Sequence, residues 1–142
     1  MKALQITRPG QFEIVDVPRS DPFPDEVIVE VRAINSCTHW DLTVWDGIDI
    51  WGRPDHPEYP YTVGAPGHEW AGIVVEKGAQ VDSVNVGDRV AYWGSPPGLK
   101  TLRQGGKEYG GYVQYVCIHH RSVLPFPQDT PLSFKEMAML EM

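Results

Sequence analysis

The stretch Glu26–Ser36 reads EVIVEVRAINS, and its apolar residues recur every second position. A period of two belongs to an extended strand and does not suit a helix, whose faces repeat near 3.6. Val27, Val29, Val31 and Ala33 are expected on one face, with Ile28, Glu30, Arg32 and Ile34 on the other, giving a half-buried strand. Cys37 follows directly, at a strand end where ligands and catalytic groups are often presented. Shorter apolar runs surround it: MKALQIT, QFEIVDVP, HEWAGIVVEKG (ended by Gly78), VNVGDRVAYWG (with a turn at Gly87-Asp88), YVQYVCIHH and SVLPFPQD. The 14 glycines and 13 prolines fall between these runs, which favours many strands and turns over long helices. THWDLTVWDG has the makings of one short helical turn. Near the end, Ser133 and Glu136 have capping-box spacing, with Phe134, Met137, Ala138 and Leu140 following. The expected fold is mostly β, a partly open barrel with short helices, one of which leaves at the C-terminus.

Composition narrows the function classes. A chain of 142 residues, 42% apolar and 22% charged, is large enough for one buried core. Its net charge of −7, with no basic block, argues against nucleic-acid binding and against attraction to an anionic membrane surface. No apolar run approaches the roughly 20 residues needed to span a bilayer. The opening MKALQITRPG is too polar for a secretory signal, so a cytoplasmic location is expected. With no export signal, Cys37 and Cys117 read as free thiols or ligands rather than as a disulfide. Cys117 is expected to point inward as a small hydrophobe.

Chemistry concentrates in Cys37, His68 and Glu69, which offer the sulfur, nitrogen and oxygen donors that zinc accepts. Singly, each has a plain structural reading: a buried small cysteine, or a satisfied polar pair at a loop. His119 and His120 read as surface residues. His56 lies in a long aromatic loop where a substrate contact is conceivable. Trp40, Trp45, Trp51, Trp70 and Tyr109 are candidates for a pocket wall or simply for the core.

The surroundings decide between these readings. From Gly67 the chain runs Gly-His-Glu, two residues, Gly72, five residues, Gly78, two residues, Val81. This resembles the zinc signature of the medium-chain alcohol dehydrogenases at every fixed position. CTHWD about thirty residues upstream, VGDRV at Val86–Val90 and GGYVQYV from Gly110 extend the resemblance over essentially the whole chain. It implies a GroES-like catalytic domain over residues 1–128. Residues 129–142 would begin a linking helix toward a dinucleotide-binding Rossmann domain. The resemblance further implies one catalytic zinc held by Cys37 and His68. Glu69 would be either a ligand or a close companion, and Glu141 a third ligand or a partner to bound water. It implies NAD or NADP as hydride acceptor, bound by the missing domain, and a small alcohol, polyol or sugar as substrate. A homo-oligomer would assemble through that same domain.

The chain departs from the family pattern in two places. Where relatives commonly place Ser or Thr two positions after the cysteine, as the first member of a proton relay, this chain has His39, followed by Trp40 and then Asp41. His39 or Thr38 would then carry the proton, and Asp41 would orient His68 or cap the next turn. Many relatives also have a four-cysteine structural zinc lobe between the strand after GDRV and the GG pair. GSPPGLKTLRQGGKEYGG has no cysteine, so no structural zinc is expected there. No G-x-G-x-x-G turn follows a strand anywhere in the chain. Two alternatives therefore stay open: a zinc-free quinone- or enone-type reductase of the same superfamily, and a stand-alone GroES-like module that binds without catalysis.

Overall fold

The computed structural model describes residues 1–48, 57–94 and 110–140. Strands β1 (Lys2–Arg8) and β2 (Gln11–Asp16) form an antiparallel hairpin. β3 (Glu26–Asn35), β4 (Glu69–Lys77), β5 (Arg89–Tyr92), β6 (Tyr115–His119) and β7 (Val123–Phe126) form an antiparallel sheet in the order β6-β3-β4-β5-β7. Helix α1 (Trp40–Asp46) lies between β3 and β4, and α2 (Phe134–Ala138) follows β7.

The connection between β6 and β7 fixes the sheet's shape. They are opposite edges, yet only a 3-10 turn at His120–Ser122 joins them. Four flat inter-strand gaps of about 4.8 Å would separate the edges by roughly 19 Å. The four Cα steps from His119 to Val123 span at most about 15 Å. The sheet must therefore roll up. Among the described residues no ladder closes β6 onto β7, so it is a partly open barrel, as the alternation and turns suggest.

The inside of the roll holds Val27, Val29, Trp70, Val74, Val90 and Val116. Each fully buried valine contributes about 1.5 kcal/mol or more. One face assignment is overturned. Val31 and Ile34 both pack against this core, whereas Ala33 joins a second cluster with Ala71, Ala91, Met137 and Ala138 under α2. Val31 pairs with Gly72 and Ala33 with Ala71, so Arg32 is an extra residue. A bulge of one residue exchanges the two faces for everything beyond it. The start of β3 also lacks the expected solvent face: Val27, Ile28 and Val29 are all 1% exposed or less. Glu26 turns inward there, accepting the Phe23 amide and the Cys117 thiol, which folds the preceding loop back over the strand.

Helix α2 forms as its sequence predicts. The Ser133 hydroxyl accepts the Glu136 amide while the Glu136 carboxylate accepts the Ser133 amide. Arg89 of β5 holds the approach to α2 by donating to the Thr130 and Leu132 carbonyls, and its guanidinium lies 4.9 Å from the Phe134 ring centre. No helix among the described residues is long and apolar enough to cross a membrane.

Candidate metal centre

The paired ends of β3 and β4 build this region. Asn35 closes β3 opposite Glu69, the first residue of β4, so Cys37 and His68 leave adjacent strands side by side. Gly67 makes the approach. Its φ of +44° is left-handed, and a Cβ there would sit 2.7 Å from the Tyr112 nitrogen and from the Gly64 carbonyl oxygen. Only glycine fits that corner and still delivers His68 inward.

Donor atoms of Cys37, His68 and Glu69 all lie within 4.8 Å of one another. His68 Nε2 is 3.8 Å from Glu69 Oε1, while Nδ1 is 3.9 Å from Asp41 Oδ1. The two ring nitrogens thus face different carboxylates. Asn35 Nδ2 donates to Glu69 Oε2, which leaves Oε1 turned toward the histidine. The Trp40 amide points at Cys37 Sγ at 3.3 Å, and the Trp40 ring lies against the His68 ring with centres 4.8 Å apart.

Asp41 anchors the far side. It is 6% exposed, and its Oδ2 accepts both the Cys37 amide, at 3.0 Å, and the Tyr112 hydroxyl. It therefore faces inward rather than capping α1, where no side-chain cap bond forms. Burial first, and then the hydrogen bond to Asp41, push the Tyr112 phenol well above the usual tyrosine range, so it stays protonated. Beyond Asp41 and Tyr112 a cavity of about 320 Å³ opens, walled by Leu4, Ile6, Phe12 and Trp45.

The expected ligands Cys37, His68 and Glu69 come together, with Asp41 beside them. Thr38 and His39 are exposed on the turn just after Cys37. Glu141, His56, Trp51 and Tyr109 lie outside the described residues. Trp70 is core, and Trp45 lines the cavity. His119 and His120 are half-buried, their rings stacked 4.7 Å apart. Asn35 and Tyr112 escape sequence reasoning. Asn35 reads as the polar end of an alternating strand, and Tyr112 as an aromatic in a motif. Nothing in the spacing says which carboxylate each reaches.

Cys117 lies apart from this cluster. It is 1% exposed, and burial followed by the neighbouring Glu26 carboxylate pushes its thiol well above the usual cysteine range. In the native, metal-free chain only Cys37 is expected to react promptly with a thiol reagent. Cys117 is expected to label only after unfolding, which a timed thiol titration with and without denaturant checks.

Comparison with known proteins supplies the family. The family model described as "Alcohol dehydrogenase GroES-like domain" matches residues 23–128. The chain belongs to that family. An L-threonine 3-dehydrogenase of Ruegeria pomeroyi is 28% identical over 149 residues, covering 92% of this chain and 41% of the relative. The GroES-like fold is shared with 2R,3R-butanediol dehydrogenase of Bacillus subtilis, at TM-score 0.71 and 24% identity, covering 96% of this chain and 43% of that one. A quinone oxidoreductase of Coxiella burnetii has the same score and identity, covering 99% of this chain and 41% of that one. The GroES-like chain thus spans about two fifths of the length of the relatives it matches.

The donor set fits a zinc ion. Atoms bound to one tetrahedral zinc lie roughly 3.5 Å apart, so shifts of about an ångström join these three. Asp41 Oδ1 makes no hydrogen bond among the described residues and faces His68 Nδ1. That is the position from which a carboxylate orients a metal-bound imidazole.

Proposed function

We propose that this chain is the catalytic-domain portion of a zinc-dependent, NAD(P)-linked dehydrogenase of alcohols or polyols. The observation that carries the reading is the convergence of Cys37, His68 and Glu69 donor atoms within 4.8 Å. Cys37 Sγ, His68 Nε2 and Glu69 Oε1 would hold the zinc, with Glu141 as a further candidate. Zinc supplies Lewis acidity toward a hydroxyl or carbonyl oxygen.

The chain's own groups prepare that chemistry. Asp41 favours the His68 tautomer with the proton on Nδ1, which leaves Nε2 as a donor. Asn35 fixes one Glu69 oxygen and frees the other. The Trp40 amide donates toward the Cys37 sulfur and fixes its direction. Thr38 and His39, exposed beside Cys37, carry the released proton to solvent. NAD or NADP, were it held by a domain outside these residues, would supply the hydride acceptor for turning a hydroxyl into a carbonyl with release of one proton. The name of the threonine dehydrogenase, whose substrate bears a hydroxyl, supports a small alcohol, polyol or sugar.

Purified under metal-replete conditions, the chain is expected to carry about one zinc by elemental analysis. A zinc-free preparation sinks the assignment. Joined to its dinucleotide-binding domain, the protein is expected to oxidise alcohols or polyols with NAD or NADP and to lose that activity in His68→Ala. A second reading, a reductase of the same superfamily without zinc, predicts turnover that survives His68→Ala. A coding sequence that stops at Met142 instead supports the stand-alone binding module.

A further inference from the structure

We propose that Tyr112 is a positioning residue for the metal centre, acting through Asp41 on His68. This rests on the zinc reading above.

Asp41 has two oxygens with different duties. Oδ2 takes two donors, the Cys37 amide and the Tyr112 hydroxyl, while Oδ1 is left facing His68 Nδ1 at 3.9 Å. A carboxylate held at one oxygen by a single donor can still swing about that bond. Two donors from different directions fix its plane, and with it the direction of the other oxygen. One donor belongs to the backbone and survives any substitution. The other is a single phenol, and it comes from a distant part of the chain, 71 positions from Asp41.

Tyr112 is also firmly based. Its amide donates to the Gly64 carbonyl at 3.0 Å, and its carbonyl accepts the Leu4 amide at 2.9 Å. Its ring edge packs against Gly67, where an added Cβ would come within 2.7 Å of Cδ2. The hydroxyl is thus set by the β1 pairing and by the Gly64–Gly67 corner that delivers His68. The same corner that places the histidine places the group that aims its carboxylate.

Tyr112→Phe removes one oxygen and keeps the ring packing. In the 142-residue chain, Co²⁺ titrated against a competing chelator and followed by its thiolate absorption reads metal affinity directly. Near-UV circular dichroism reports that each variant is folded. Tyr112→Phe is expected to weaken Co²⁺ binding about tenfold, in the range seen when groups behind metal ligands are removed. Asp41→Asn is expected to cost at least as much. Adding Tyr112→Phe to Asp41→Asn is expected to change affinity less than twofold, because the tyrosine then has nothing left to aim. Wild-type binding with Tyr112→Phe within twofold of it overturns this proposal and leaves the zinc reading standing. The same tenfold loss persisting on top of Asp41→Asn also overturns it, since the effect would not pass through Asp41. A wild-type chain that takes up no Co²⁺ overturns both.

Discussion

Cys37→Ser is expected to weaken zinc binding by about 100-fold or more while leaving the fold intact. Structural zinc contributes roughly 10–16 kcal/mol through four ligands, so one ligand accounts for about 3 kcal/mol, or a factor near 100. Serine retains a small polar atom, but its hydroxyl is a poor ligand beside a thiolate. Cys37 lies past the end of β3 and is only half-buried, so the change leaves the core untouched. His68→Ala is expected to lose a similar factor. It also removes the imidazole that faces both Asp41 and Glu69. Competition with a chromophoric chelator measures both, and unfolding midpoints within a few degrees of wild type confirm the fold. Affinity unchanged in both variants would place any bound zinc elsewhere.

Gly72→Ala is expected to destabilise the fold by about 3 kcal/mol or more. A Cβ built on Gly72 sits 2.1 Å from the Glu30 carbonyl oxygen and 2.8 Å from Val29 Cγ1. The first obstacle is backbone in the central strand pair, which cannot move aside as a side chain can. Gly72 pairs with Val31, immediately before the bulge at Arg32. Separating the strands there would disturb the face exchange that sends Ala33 toward α2 and Ile34 toward the core. Overpacking alone costs about 1–3 kcal/mol, and a rigid obstacle raises it further. Urea unfolding is the measurement. A shift below about 1 kcal/mol would mean that the two strands separate easily at the bulge.

These two substitutions mark different degrees of legibility. Cys37, His68 and Glu69 were readable as a set because donor chemistry and glycine spacing are written along the chain. The strands were readable because short apolar, β-branched runs bounded by glycine and proline mark extended segments locally, even where the tertiary setting changes which face is buried. The capping box at Ser133 was readable because both partners lie within one helical turn. The bulge at Arg32 was not readable. Nothing in EVIVEVRAINS shows that β4 supplies one residue fewer between Val31 and Ala33, because a bulge is a property of two paired strands. The roles of Asn35 and Tyr112 were hidden for the same reason, being contacts across 34 and 71 positions.

What the sequence determined by itself was therefore local or compositional: strand periodicity, turn positions, the three donor residues and the absence of cysteines for a second zinc lobe. Tertiary structure alone decided which face Ala33 takes, how the sheet rolls between its edges, and which carboxylate oxygen meets which imidazole nitrogen. Periodicity and spacing are carried by neighbours along the chain. Orientation at the candidate metal centre depends on hydrogen bonds between segments that only folding brings within 3 Å or so of each other.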